Sequence, residues 1–311
     1  EAAGSAVGGV LASLVLIQSL DAVQISLLLA LLNLMAAAWL WFESAQKRRL
    51  MLALIVVAFG GVVFPVGARW LEGASLGWLW RPFQITALRN SIYGNLIVTE
   101  KEGSAALFEN GLYMVTAPDP QAAEEAVHYA LLQHPAPETL LLIGGGINGS
   151  LAEALKHPTL RRADYVELDP AILDLASAHF RNGWDRVRSD RRVRLHAVDG
   201  RLFVKTAAEL YDVIIINLPE PQTAQLNRFY TVEFFREAAR HLTPTGVFSF
   251  RLSGAENYIS PARAAFLQCM NRTLRQAFLQ VMAYPGANVL FFAANRRSPL
   301  VADPAVLVAR L

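Results

Sequence analysis

The chain has 311 residues, of which 54% are hydrophobic and only 17% charged, with 28 Lys+Arg against 26 Asp+Glu. An ordinary soluble domain is about a quarter charged, so this composition excludes a disordered chain, and the near balance of charge argues against a nucleic-acid binder. A single cysteine, Cys269, excludes an intrachain disulfide scaffold.

The apolar excess is concentrated at the front. Residues 1–80 hold only eight of the charged residues and five of the six tryptophans, whereas all six histidines and all but one proline come later. Residues 2–20, 22–42 and 50–67 are uncharged apart from Asp21 between the first two runs. A membrane span needs about 20 apolar residues, so these runs predict three transmembrane helices within a membrane region of residues 1–70. The third contains Gly60, Gly61 and Pro65 and is the most easily broken. Trp39, Trp41, Trp70, Trp78 and Trp80 lie near the predicted helix ends, as an interfacial aromatic belt would. Lys47, Arg48 and Arg49 place the loop between the second and third runs on the cytoplasmic side. A single crossing by 50–67 then puts the remainder outside; a re-entrant hairpin broken at Gly60–Gly61 keeps it inside. The expected setting is a bacterial inner membrane, with the lipid bilayer and other membrane-complex subunits as partners. The start at Glu1 reads as the C-terminal part of a longer or processed membrane protein.

Residues 71–83 read as an interfacial linker. Residues 84–118 read as a small β-domain, with strands at 84–88, 96–99, 105–108 and 112–115 and a turn at Glu109-Asn110-Gly111. Residues 119–295 alternate short apolar strands with helices, beginning with a helix over 121–133. Strands are expected at 140–143, 165–168, 193–197, 213–217 and 246–251, with helices after each and a closing strand pair at 281–283 and 289–293. This pattern predicts an α/β fold with a doubly wound, mostly parallel sheet. Residues 296–311 read as a tail. Arg186 to Arg194 reads as a solvated loop, the histidines as surface or helix-end residues, and Cys269 as a small buried apolar side chain.

Ligands in such sheets sit at the carboxyl ends of the strands. Gly144, Gly146 and Gly149 fit G-x-G-x-x-G between the first strand and a helix, where backbone amides can approach a ligand closely. Glu167, 21 residues after Gly146, suits the two hydroxyls of a ribose, and Asp199 follows the next strand, where a side chain reaches an adenine amino group. Together they suggest an adenosyl-type small molecule. No metal-ligand spacing appears.

Thr139 to Pro158, with Leu-Leu-Leu-Ile-Gly-Gly-Gly-Ile-Asn-Gly-Ser at its heart, resembles the signature of the spermidine synthase (polyamine aminopropyltransferase) family. Val166 to Pro170, Val198 to Arg201 and Tyr211 to Ile215 agree in order and spacing, and Phe83-Gln84 with Ser91 to Asn95 resembles the start of that family's β-domain. The front also resembles the last helices of bacterial proteins in which a helical membrane region is fused to a spermidine-synthase-like domain. The resemblance implies a Rossmann-like methyltransferase/spermidine-synthase fold and a ligand of the S-adenosylmethionine or decarboxylated S-adenosylmethionine type. It implies that Glu167 binds ribose, that Asp199 and Gly200 face adenine, and that Gln84 lies near the nucleoside.

The resemblance breaks at the acceptor end. The family's Asp-x-x-Asp-Pro reads Asn217-Leu218-Pro219-Glu220-Pro221, so an amide stands at the base position and Glu220 retains the second acid. Ile147 replaces the acid of the glycine loop, and the family's Tyr-(His/Gln)-Glu stretch aligns with Ala122-Ala123-Glu124. A missing general base costs about 10²–10⁴ in rate. Three readings stay open: a transferase with another acceptor, served by Glu220 and Tyr230; a non-catalytic binding or assembly subunit; and a bland Asn217 with Glu220 as base.

Overall fold

The computed structural model describes residues 2–16, 19–20, 22–42, 67, 70–71, 73–180, 183–295 and 300–311. It divides into two compact units, Glu1–Thr86 and Ala87–Leu311.

In the first unit, α1 (Ala2–Leu11) runs into a π-helical turn (Ala12–Leu16), and α2 covers Ala22–Phe42. Residues 17–18 of the expected span over 2–20 lie outside the described residues. The expected span at 50–67 falls, except for Gly67, outside the described residues. Among the described residues no helix is long and apolar enough to cross a membrane, so the expected three-span region is not shown. Trp70 and Trp78 are exposed, but Trp80 is buried, which corrects its expected place in an interfacial belt.

The small sheet has the order β1-β2-β3-β4, formed by β1 (Gln84–Asn90), β2 (Asn95–Lys101), β3 (Ser104–Glu109) and β4 (Leu112–Ala117). β3 and β4 turn at Asn110-Gly111, both at positive φ, as the Asn-Gly pair predicts. α3 (Pro120–Gln133) follows. Asp119 caps it by accepting from the Ala122 amide at 3.0 Å, and Pro120 occupies its first turn, where no intrahelical donor is needed.

The large sheet has seven strands: β5 (Thr139–Ile143), β6 (Arg162–Glu167), β7 (Val193–Ala197), β8 (Tyr211–Ile216), β9 (Leu242–Ser253), β10 (Gln280–Tyr284) and β11 (Asn288–Ala294). Their order is β10-β11-β9-β8-β5-β6-β7, with β9 through β7 parallel and β11 and β10 added antiparallel. This is the expected doubly wound sheet with its closing pair. The chain turns from β5 toward β6 on one side, and β8 lies on the other. The strand order therefore reverses beside β5, where a crevice opens above the strand ends.

The core follows the two-residue period of the strands. Leu140, Leu142, Val213 and Ile215 pack into the cluster on one face; Leu141, Ile143, Ile214 and Ile216 pack into the cluster on the other. Burial on both faces makes these strands continuous apolar runs. Each such side chain contributes about 1.5–3 kcal/mol. On the second face Phe235 stacks on Phe250, which stacks on Phe291.

The helices of this domain are α4 (Ser150–Ala154), α5 (Pro170–His179), α6 (Trp184–Ser189), α7 (Gly200–Thr206), α8 (Ala224–Asn227), α9 (Val232–Arg240), α10 (Pro261–Arg275) and α11 (Pro304–Val308). Several expectations need correction. α11 lies in the expected tail. The basic run from Arg186 begins inside α6 rather than in a loop, and Arg192 pairs with Asp190 at 2.9 Å. His134 is buried but caps the end of α3, as a helix-end residue; His157 is buried rather than superficial, and Cys269 is exposed on α10 rather than buried.

Candidate functional site

The glycine loop leaves β5 at the reversal point. Gly145 has φ +63°, and a Cβ there would meet the Asn217 carbonyl oxygen at 2.4 Å. A side chain is therefore excluded twice, by conformation and by space. At Gly146 a Cβ would meet the Tyr165 ring at 2.8 Å. The loop closes in a 3₁₀ turn over Gly146–Asn148, and Gly149 starts α4. Ile147 is buried in the core, so its side chain replaces an acid with packing.

A cleft lies over the loop, lined by Gly144, Glu167, Asp169, Gly200, Leu218 and Arg228, among others. Glu167 ends β6. Its Oε2 accepts from the Tyr165 hydroxyl at 2.9 Å and its Oε1 from the Leu168 amide at 2.8 Å. Oε1 also accepts weakly from the Asp169 amide at 3.5 Å, so Oε2 is the oxygen that keeps lone-pair capacity for a further donor. Burial pushes this carboxyl up to about 7, against the hydrogen bonds from Tyr165, Asp169 and Leu168. Asp169 caps α5 through Oδ1, while its buried Oδ2 has no partner among the described residues. Glu109, at the end of β3, also lines the cleft, and burial followed by the charge of Asp169 raises its pKa. Sequence reasoning missed Glu109 and Asp169. Asp169 reads locally as a helix cap, and Glu109 reaches the cleft only through the packing of the small sheet.

Asp199 caps α7, its Oδ1 accepting from the Arg201 and Leu202 amides at 2.9 Å, and its Oδ2 pairs with Arg228 at 2.5 Å. Arg228 lines the cleft and lies over the Phe229 ring. Gly200 permits the close approach of Ile143 and Phe229, where a Cβ would stand 2.7 Å and 3.2 Å away. Gln84 opens β1, is exposed, and belongs to the first unit.

A second cleft shares Met114 and Leu218 with the first and is lined by Gly145, Asn148, Asn217, Glu220, Arg251 and Asn288. Asn217, at the end of β8, is buried, and its Nδ2 donates to the Gly145 carbonyl at 3.3 Å. Glu220 accepts from the Ser253 amide at 2.7 Å and from Arg263 Nη1 at 3.1 Å, with a second, shorter contact to Arg263 Nη2. Burial would raise its carboxyl, but Arg263 and Ser253 hold it below the usual range. Tyr230 is buried, and its hydroxyl donates to the Pro219 carbonyl at 3.1 Å. It braces the loop that carries Asn217 and Glu220, and burial followed by the charge of Glu220 raises its pKa. Among the described residues no three His, Cys, Asp or Glu side chains form a metal site.

This sheet, glycine loop and strand-end carboxylate define an α/β protein of the Rossmann-like methyltransferase/spermidine-synthase class. The spermine/spermidine synthase domain matches residues 121–292, more than half of the sequence, and the chain belongs to that family. It is 29% identical over 250 residues to a polyamine aminopropyltransferase of Oceanobacillus iheyensis, covering 78% of this chain and 49% of that one. It is 30% identical over 196 residues to the polyamine aminopropyltransferase of Leptospira interrogans, covering 61% and 38%. The chain thus spans about half the length or less of these curated relatives. A spermidine synthase solved in complex with the transition-state analogue AdoDATO superposes with a TM-score of 0.61 at 21% identity, over 73% of this chain and 84% of that one. The spermidine synthase of Thermotoga maritima gives 0.59 at 22% identity over the same shares. These likenesses are of fold.

Proposed function

We propose that this protein is a transferase that binds an adenosyl ligand, of the S-adenosylmethionine or decarboxylated S-adenosylmethionine type, and that its acceptor end departs from polyamine aminopropyl transfer. The observation that carries the first half is Glu167. Both of its oxygens are oriented by fixed donors, and Oε2, which accepts only from the Tyr165 hydroxyl, retains acceptor capacity at the mouth of a cleft behind a glycine loop. A ribose hydroxyl is a donor that this oxygen fits. The unpartnered Asp169 Oδ2 supplies a further acceptor in the same cleft. Gly144 and Gly200 keep its floor low enough for a flat base. Adenine recognition by Asp199 requires Arg228 to release its Oδ2.

The second half rests on Asn217 and Glu220. Attack of an amine on a sulfonium carbon needs the neutral amine, hence a base. The Asn217 amide has no basicity near neutral pH and is spent on the Gly145 carbonyl. Glu220 is spent on Arg263. Transfer of a group to an acceptor that is already nucleophilic needs mainly positioning and survives both changes. The same two locked side chains favour a second reading, a binding or assembly subunit without turnover.

Calorimetric titration with S-adenosylmethionine, its decarboxylated form and methylthioadenosine tests the proposal. Saturable binding of at least one is expected, and absence of binding by all three would overturn it. Turnover of the bound donor on any acceptor excludes the second reading. Membrane attachment of the first unit enters the proposal from sequence alone, through the uncharged runs and Lys47 to Arg49. Retention in the membrane fraction after alkaline carbonate extraction supports it, and release overturns it.

A further inference from the structure

The second cleft has a charge arrangement that no diamine would select. A diamine carries two ammonium groups near neutral pH and needs uncompensated carboxylates. The carboxylates nearest this cleft already have cations. Glu220 is held by Arg263, and Glu125 lies 3.7 Å from Arg251 and accepts from Asn288 at 2.9 Å. Ile147 has withdrawn into the core, so the glycine loop adds no acid.

The cleft instead presents donors. Asn148 lines it and is only 5% exposed. Its Oδ1 accepts from the Ser150 amide at 2.8 Å, which fixes the amide so that Nδ2 is the remaining edge. Among the described residues that Nδ2 has no partner. Arg251 lines the same cleft; its Nη1 donates to the Ala122 carbonyl at 3.4 Å and lies 3.7 Å from Glu125, which leaves Nε and Nη2 without a partner among the described residues. A guanidinium with free N–H groups and a buried amide donor together suit a carboxylate, which accepts in-plane from both.

We propose that the cleft beyond the glycine loop binds a carboxylate through Arg251 and Asn148 and does not bind a diamine. This rests on the adenosyl reading for its place in the reaction. The carboxylate has two sources: the methionyl carboxylate of S-adenosylmethionine, or a carboxylate on the acceptor.

Paired titrations separate these. If the source is the donor, S-adenosylmethionine binds about tenfold or more tighter than its decarboxylated form. Arg251→Met removes that preference, and Arg251→Lys, which keeps the charge, retains part of it. If the source is the acceptor, the two donors bind alike, and glutarate binds the methylthioadenosine-loaded protein with an affinity that falls about tenfold in Arg251→Met and partly recovers in Arg251→Lys. Glutarate is also titrated without nucleoside, so failure of nucleoside binding sinks the adenosyl reading and leaves this one tested. Putrescine binding in preference to glutarate, tighter binding of the decarboxylated donor, carboxylate binding indifferent to Arg251, or no carboxylate binding at all would overturn the proposal.

Discussion

Asn217 donates its side-chain amide to the carbonyl oxygen of Gly145, 3.3 Å away, tying the end of β8 to the glycine loop after β5. The residue that the sequence resemblance aligns with a base is here a clip between the two strands that flank the strand-order reversal. An amide can serve there because it donates; a carboxylate would face the carbonyl oxygen with no proton to offer.

Restoring the acid by Asn217→Asp is therefore expected to destabilise the protein by about 1–3 kcal/mol, the cost of a buried acceptor left without its donor. It is not expected to create spermidine synthesis by itself, since Glu220 stays paired. Denaturant unfolding and product analysis check the two halves.

On the proposed reading, Glu167 makes nucleoside binding depend on pH. A ribose hydroxyl would donate to the carboxylate, and burial pushes the free carboxyl up to about 7. Methylthioadenosine affinity should rise from pH 6 to pH 8 and then level off, with proton release on binding at the lower pH. Glu167→Gln should flatten this profile and weaken binding by about tenfold or more, for loss of charge-assisted hydrogen bonds. The sign for stability is opposite. The folded pKa lies above the ordinary 4.5, so the folded form holds its proton longer, and this group's contribution to stability falls as pH rises from about 4.5 to 7.

Arg263→Met should release Glu220. Its carboxyl, now held below the usual range by Arg263 and Ser253, would then rise under burial. The variant should lose about 1–3 kcal/mol from the broken charge-assisted bonds. If Glu220 is a base held in reserve, any transfer activity should increase in Arg263→Met and vanish in Glu220→Gln. Equal rates in all three proteins would remove Glu220 from the chemistry.

His157 gives an acid-side test of stability. Burial, then the neighbouring His128 at 2.9 Å, lowers its pKa to about 4. Because the folded pKa lies below that of the unfolded chain, the stabilisation is complete above about pH 6.5 and is lost as pH falls toward 4. Melting temperature should drop across that window, and His157→Gln should reduce the slope.

Much of the second unit was legible because its signals are local. Uninterrupted apolar runs such as Leu140 to Ile143 mark strands buried on both faces, and Asp or Ser before Pro marks helix starts at Pro120, Pro170 and Pro261. The glycine loop and Glu167 were legible for a similar reason, since each follows a strand end at a fixed offset. What escaped depends on distant partners. Nothing near Glu220 predicts Arg263, 43 residues later, and nothing near Asp199 predicts Arg228. Glu109 enters the cleft only once the small sheet packs against α5 and the glycine loop. Tyr230 looked available for polar chemistry, but its hydroxyl is bound to the Pro219 carbonyl. The apolar character of a thiol misled for Cys269, where position on the helix decides exposure. In the front, composition alone suggested three spans, while no helix among the described residues is long and apolar enough to cross a membrane.

The most direct test of an intact nucleoside end joined to an altered acceptor end is one assay: purified protein with decarboxylated S-adenosylmethionine and putrescine, with spermidine quantified by mass spectrometry. Spermidine should not exceed the amount formed by Glu167→Ala in parallel. Robust, saturable spermidine formation that Glu167→Ala abolishes would contradict the account, showing that Asn217 and the paired Glu220 do not prevent the family's reaction.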